Sequence, residues 1–439
     1  MSPPEPGRAA ILGYGAYLPR WRVGGLPGPR CYVDEDTTTL AVEAALEAVA
    51  GRAGDLVAVY LSTTRPAYME KTNASLLHAV LRCPEHTAAY DVNGSARSAV
   101  AAFASAVRQP RPSLVAMAGM QYGPPGGHEE LHGTDAGAAF LIGPDQGGAI
   151  ARIAGRASLT FELMDLWRLP DERWNRRWDA RFGASVYAGP GERALTAALA
   201  DAGRPRDDLA TIVVAGANTK ATHAVSRRLG AALPPAELGD AGAAAWGLVL
   251  IDALERAAPG DLVAVILLSD GCEVLLAERT GTPLPRRSTL RDKLARPALA
   301  ADYLDYLAWR GTLPREAQRR PDPAPLSAPA AWRSARWKYG GLRPPYPGGL
   351  DLHRTRGVVS EFVVDHIAYA PQPPLISALI HFDDGQNAQL DLTDVPSAQV
   401  ERGMRVEATF RRLHTSGGTH DYFWKVRPAS KEDSWPSGV

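Results

Sequence analysis

The chain is poor in several things. It has three cysteines in 439 residues, Cys31, Cys83 and Cys272, odd in number and far apart. No disulfide framework follows from them, and a reducing cytoplasm is the expected compartment. Neither sign of charge is in excess, since 48 Lys and Arg face 48 Asp and Glu. Binding to nucleic acid or to a membrane surface through bulk charge is therefore not expected. No apolar run is long enough to cross a bilayer, and the opening Met1-Ser-Pro-Pro-Glu-Pro-Gly has neither the charged nor the apolar region of a signal peptide. The most telling lack is local. Residues 91–99 read Asp-Val-Asn-Gly-Ser-Ala-Arg-Ser-Ala, a strand end feeding a helix through small residues. Such a turn sets one side chain at a helix N-terminus, where a thiolate or oxyanion is stabilised. The residue at the tip is Ala96, which has no chemistry to offer.

What is present is ordered. Strand-like runs at Ala10–Gly13, Leu56–Ser62, Thr87–Val92, Ser113–Gly119 and Gly137–Gly143 alternate with helix-like runs at Thr38–Ala50, Ala74–Leu81 and Ala99–Arg108. This is the signature of a layered α/β domain. The pattern then repeats. Strands are expected at Ile150–Leu159, Thr211–Ala215, Leu262–Ser269 and Glu273–Arg279, and helices at Ser185–Ala202, His223–Leu229 and Ala243–Ala257. Similar length and element order in the two halves suggest an internal duplication. From Pro283 to Pro347 Arg and Pro dominate, which reads as a partly structured linker with one helical piece at Asp302–Arg310. Five short strands follow, Gly357–His366, Pro374–Phe382, Ala388–Leu392, Arg405–Leu413 and Tyr422–Arg427, separated by Gly-rich turns. They predict a small closed barrel. The expected divisions are 1–149, 150–282, 283–350 and 351–430.

Several residues are candidates for chemistry. His128-Glu-Glu-Leu-His132 matches the H-E-x-x-H zinc pattern, in which two histidines one turn apart clasp the metal. Pro124-Pro-Gly-Gly before it and Gly133 after it allow about one helical turn, and no third ligand is evident, so no metal site is expected and a surface loop is the simpler reading. Ser95 has no base at a suggestive spacing; capping or packing is its simpler role. Arg65 can pair with a carboxylate or phosphate, and Tyr68 can donate a proton. Tyr122, Tyr187, Asp240 and Asp270 are possible pocket liners, with a helix N-cap before Ala243 as the alternative for Asp240. Cys272 reads as a core thiol, and Trp424 as core rather than as a stacking platform.

The first 280 residues resemble the thiolase superfamily, and within it the archaeal-type 3-hydroxy-3-methylglutaryl-CoA synthases. Ile11-Leu-Gly-Tyr-Gly-Ala-Tyr-Leu-Pro-Arg is similar to that family's opening strand, Asp34-Glu-Asp-Thr to the start of its first helix, and Thr134–Gly143 to its small-residue core strand. Asp165-Leu-Trp-Arg and Arg181-Phe resemble the segment that opens its second half. Residues 351–428 resemble the OB-fold domain that accompanies many thiolase-like proteins, through Gly403-Met-Arg-Val-Glu and Phe423-Trp-Lys-Val-Arg-Pro. The resemblance implies a duplicated five-layer αβαβα fold followed by an OB barrel. It also implies three catalytic positions that this chain has lost. The acyl-accepting cysteine falls on Ala96, the acid/base glutamate at about Thr63, and the histidine at about Ala215. Asn218 and Lys220 persist in the last of these segments, where the resemblance places the coenzyme A tail. The family's zinc ribbon falls on Trp337-Lys-Tyr-Gly-Gly-Leu-Arg-Pro-Pro-Tyr-Pro, which has no cysteine, so no zinc is expected there.

Two consequences follow. First, the 128–132 loop follows the third strand in the resembling fold and can reach the pocket. His128, Glu129, Glu130 and His132 are then replacement acid/base candidates, beside Tyr122, Ser95, Asp240 and Tyr68, with Lys220, Asn218 and Arg65 expected to bind the thioester's carrier. Second, ordinary condensation is excluded, because it needs the thiolate, the proton shuttle and the imidazole. The expected function is binding of an acyl-CoA or acyl-carrier-protein thioester and aldol or retro-aldol chemistry without a covalent acyl-enzyme, since some OB-linked thiolase relatives are retro-aldolases with tyrosine-type acid/base groups. A catalytically silent subunit that scaffolds an active thiolase-like partner is one alternative. A repurposed acyltransferase or cyclase of secondary metabolism using Ser95 or the 128–132 histidines is another. A homodimer through the thiolase-like part is expected. The OB barrel, without a basic aromatic stripe, is expected to dock on that part or on its partner rather than on nucleic acid.

Overall fold

Asp36 starts the first helix, α1 (Thr37–Val49): its carboxylate accepts from the Thr38 and Thr39 amides, while the Thr39 hydroxyl accepts from the Asp36 amide in return. α1 is Ala-rich and buried along most of its length, because it is covered on both faces. The computed structural model describes residues 9–285, 287–316, 320–345, 349–353 and 355–429.

Nine strands form one sheet: β1 (Ala9–Tyr17), β2 (Ala58–Thr63), β3 (Ala88–Asp91), β4 (Ser113–Gly119), β5 (Ala136–Pro144), β6 (Ala151–Thr160), β7 (Leu209–Gly216), β8 (Leu262–Leu268) and β9 (Gly271–Arg279). Their order is β7-β8-β9-β6-β1-β5-β4-β2-β3. It divides into two copies of one plan. In the first half β3-β2-β4 are parallel, and β5 and β1 follow antiparallel. In the second half β7-β8 are parallel, and β9 and β6 follow antiparallel. The strand that would match β3 is reduced to a parallel bridge between Ala232 and Val213. The halves meet where β1 and β6 pair at Ala10–Arg152 and Ile11–Ala151. The duplication suggested by element order is thus repeated in the topology.

Three cores give the layers. α1 and α2 (Ala74–Val80) cover the outer face of the first half. α3 (Arg97–Val107) and α7 (Ala245–Arg256) lie between the two halves, where Phe103 meets Phe140 and Trp246 edge-on at 5.7 and 5.1 Å. α5 (Ala180–Ala202) and α6 (Thr219–Leu229) cover the outer face of the second half. The five-layer order is therefore present. The short helix α4 (His128–His132) leaves the loop after β4, the fourth strand of its half in chain order and not the third.

The final sheet is antiparallel: β10 (Arg356–Asp365), β11 (Leu375–Phe382), β12 (Asn387–Asp391), β13 (Arg405–Ser416) and β14 (Thr419–Pro428), in the order β12-β11-β10-β13-β14. A parallel bridge from Leu392 to Val426 brings its two edges together, as the barrel expectation requires. Trp424 is in the core. Residues 283–350 hold more structure than the one helical piece expected. Helical turns at Leu290–Ala295, Tyr303–Trp309, Ala328–Arg333 and Ala335–Lys338 are tied to both parts of the chain, and Leu299–Ala301 pairs with Trp21–Val23. In the stretch aligned with the zinc ribbon, of which residues 346 and 347 lie outside the described ones, rings and backbone do the holding. Trp337 meets Phe423 edge-on at 5.3 Å, and the Trp424 indole donates to the Tyr339 carbonyl at 2.9 Å.

Candidate functional site

Because β2, β3 and β4 run parallel, as do β7 and β8, their C-terminal ends open on shared edges of the sheet, where α/β proteins bind ligands. The three lost positions all lie there. Ala96 is the N-cap residue of α3, half-buried, and no side chain caps the helix. Gly94, at φ +136°, makes the turn before it. Thr63 closes β2 and is buried; its amide donates to Asn93 Oδ1 in the elbow at 3.0 Å, and its hydroxyl accepts from the Arg65 amide at 3.1 Å. Ala215 is buried near the end of β7. The elbow is pinned to the second half by Arg97, whose guanidinium donates to Glu273 Oε1 at 2.7 Å, to the Asp270 carbonyl at 2.5 Å, and to the Ser158 and Thr160 hydroxyls.

Tyr122, just past β4, is the centre of the remaining polar groups. Arg65 lies over its ring at 5.0 Å and Arg310 at 4.9 Å. Arg65 also donates to the Tyr122 carbonyl at 3.2 Å and to the Arg173 carbonyl at 3.2 Å. Burial, and then the nearby Arg168 charge, bring the Arg65 guanidinium down to about 10. Arg310 is buried and paired with Asp135, while its Nε and Nη1 have no hydrogen-bond partner. Beside Tyr122, Glu129 packs against Gly123, where a Cβ would come within 3.0 Å of its carboxylate. Arg177 joins Glu129 at 3.0 Å to Asp240 at 3.4 Å. His128 stands over His132, with ring centres 4.6 Å apart. Desolvation, then the Arg177 charge, push the His128 imidazole down to about 4, and its Nδ1 is buried without a partner. His128 is therefore a neutral base at ordinary pH.

The expected residues are not all in one place. His128, Tyr122, Arg65 and Asp240 share this neighbourhood. His132 is exposed beside it. Among the described residues, no group of three His, Cys, Asp or Glu is arranged to hold a metal. Asp240 gives the Gly242 amide a bond at 2.9 Å as well as pairing with Arg177, so it is a turn cap and a network member together. Ser95 is at the elbow, but its amide donates to Ser98 Oγ and its own side chain does not cap α3. Asn218 is the buried N-cap of α6; its Oδ1 accepts from the Ala221 amide, and its amide nitrogen donates to Asp165 at 3.1 Å. Lys220, two residues further in the first turn of α6, is exposed. Tyr187 is buried near Asp270 and Asp165. Tyr68 faces the OB barrel, its hydroxyl accepting from the His420 amide at 2.7 Å. Cys272 is a buried free thiol. The sequence reading passed over Arg97, Arg177 and Arg310. The one available signal was the density of Arg and Trp between 167 and 181.

These features define a thiolase-type α/β fold that carries a C-terminal OB barrel. A family model described as the C-terminal OB-fold domain of ChsH2 matches residues 351–411. Among sequence relatives, the hydroxymethylglutaryl-CoA synthase of Methanopyrus kandleri is 28% identical over 312 residues, which is 62% of this chain and 86% of that one. The enzyme of the same name from Methanococcus vannielii is 25% identical over 355 residues, 69% of this chain and 98% of its own. Among solved structures, an HMG-CoA synthase complexed with CoA aligns with a TM-score of 0.58 at 16% identity, covering 68% of this chain and 89% of the other. A 3-oxoacyl-(acyl carrier protein) synthase III from Pseudomonas aeruginosa aligns with a TM-score of 0.53 at 20% identity, covering 63% and 100%. The structural likenesses establish the fold.

Proposed function

We propose that this chain binds an acyl-CoA or acyl-carrier-protein thioester at the strand ends around Tyr122 and makes or breaks a carbon–carbon bond by an aldol-type route, with no covalent acyl-enzyme. One observation carries the reading: Ala96 stands where the acyl acceptor would be, while a neutral histidine, a tyrosine flanked by two guanidinium groups and a paired glutamate are gathered beside the same strand ends. In the cleavage direction His128 takes the β-hydroxyl proton of a β-hydroxyacyl thioester. The Cα–Cβ bond breaks, the aldehyde or ketone departs, and the electron pair passes into the thioester enolate. Arg65 and Arg310 favour that negative charge, and Tyr122 returns a proton to Cα. Lys220, exposed on the first turn of α6, is assigned to a phosphate of the carrier.

The same proposal divides the chain at 1–149, 150–282, 283–350 and 351–430 and places it in the cytoplasm. It also pairs two copies through the edge strand β3, where Tyr90 is 52% exposed, and through the groove of about 630 Å³ that runs along α3 past Ala101, Ala104, Arg108 and Arg156. Titration calorimetry with acetyl-CoA and turnover of a β-hydroxyacyl-CoA test the chemistry. Tyr122→Phe is expected to leave affinity within a few-fold and to lower turnover by on the order of 10² or more. If the wild type has no affinity for any acyl thioester, the proposal fails.

A further inference from the structure

The loop from residue 64 to 73 carries Arg65, and its two ends are tied within its own half. The Thr37 hydroxyl donates to the Arg65 carbonyl at 2.7 Å, and the Asn73 side chain exchanges bonds with the Tyr68 backbone at 3.0 and 2.9 Å. The Ala67 backbone and the Tyr68 side chain are held from elsewhere. The β13–β14 hairpin of the OB barrel reaches them with His420. That residue's imidazole bonds the Ala67 backbone, its ring lies 4.9 Å from the Tyr68 ring, and its amide donates to the Tyr68 hydroxyl. The Nδ1 of the same ring meets the Thr415 hydroxyl at 2.8 Å, so the imidazole is bonded on both sides. Burial and the Arg412 charge lower its proton affinity, which keeps it neutral.

We propose that His420 is a positioning residue: through Ala67 and Tyr68 the OB hairpin holds the 64–73 loop in the geometry that sets Arg65 over Tyr122. What Arg65 and Tyr122 then do rests on the thioester reading above; the mechanical coupling does not. It gives the barrel a role at the site itself, beyond docking.

The test uses the full chain with His420→Ala, His420→Gln and, independently, Tyr68→Phe. Amide hydrogen exchange is followed on peptides covering 64–73, 37–49 and 405–415, and affinity is measured with acetyl-CoA. In H420A, exchange in 64–73 is expected to rise and acetyl-CoA affinity to fall, each by roughly tenfold, about one factor of 1.4 kcal/mol. The 37–49 peptide, and 405–415 apart from Thr415, which loses its His420 partner, are expected to stay as in wild type. H420Q, which can still donate to Ala67, is expected to recover both. Unchanged exchange in 64–73 in both H420A and Y68F overturns the inference. Loosening of 64–73 in a chain whose wild type binds no acetyl-CoA upholds the coupling and removes the thioester reading instead.

Discussion

Ala96, Thr63 and Ala215 are ordinary residues in their local structure: an uncapped helix start, a strand end and a buried strand position. In the proposed reaction, chemistry at this edge of the sheet falls to other residues. His128 is the clearest, because its environment separates it from a solvent histidine. Desolvation, and then the charges of Arg177 and His132, oppose its protonation. Its NMR titration is expected near pH 4, well below the usual histidine midpoint of about 6.5. The sign for stability follows. Below about 6.5 the unfolded chain takes up this proton and the folded chain does not, so this group's contribution declines as pH falls from there through about 4. A midpoint near that of a free histidine would remove His128 as the neutral base.

At the scale of elements, much was legible. Ser113–Gly119 has the same bounds in the sequence reading and in the structure, since seven buried residues between a Pro and a turn leave little choice. α6 shows what the apolar pattern missed: Asn218 starts the helix four residues earlier than that pattern suggested, because an Asn side chain bonded to the third amide is an N-cap. In the segment 283–350 the helical piece at Asp302–Arg310 was legible and appears as Tyr303–Trp309, but its long-range pairing was not. Arg310 is buried only because Asp135 lies 175 residues away in sequence, and no local pattern announces such a pair. α3 offers a direct test of the elbow. A thiol introduced by Ala96→Cys stands at a helix N-terminus in a half-exposed position, which favours thiolate. The native thiols are buried, and burial pushes Cys83 and Cys272 up to about 12. In A96C, iodoacetamide at neutral pH is expected to modify position 96 before any native cysteine, as peptide mapping by mass spectrometry would read. Condensation is not expected to return, because the Thr63 and Ala215 positions still lack an acid/base group and an imidazole. Labelling of the native thiols alone would mean that Ala96 is not at a reactive elbow.

The whole molecule is held together by a charged seam that a composition of equal charges conceals. The acidic run Asp34-Glu35-Asp36 and Glu43 of α1 face cationic side chains of the OB strands. Lys425 meets Asp34 at 3.0 Å, Arg412 meets Asp36 at 3.4 Å, and Arg427 meets Glu43 at 3.1 Å. Glu43 also accepts from the Thr409 hydroxyl and the Phe410 amide. These three basic residues of the barrel are thus engaged on the acidic run and first helix of the same chain, which agrees with docking of the barrel on that part. At the centre, buried Arg411 lies within 2.8 Å of Asp394, 3.3 Å of Glu35 and 3.5 Å of Asp34. Arg411, even with Lys425 on Asp34, cannot balance three carboxylates away from water. Desolvation, with Asp394 and Asp34 opposing ionisation against the pull of Arg411, raises the Glu35 carboxyl to about 8, so it keeps its proton at neutral pH. The folded chain then binds one more proton than the unfolded chain between the ordinary glutamate value of 4.5 and about 8. Stability from this group is full below the lower value and is lost as pH rises through the upper one. Glu35→Gln imitates the protonated side chain and cannot ionise. Denaturant unfolding of E35Q and wild type is expected to give similar stabilities near pH 5. The variant's advantage should grow as pH rises and level off above about 8, because only the wild type then forces a further buried negative charge between the barrel and α1. Parallel stability curves across that range would mean that Glu35 is already ionised at neutral pH and that Arg411 holds all three carboxylates.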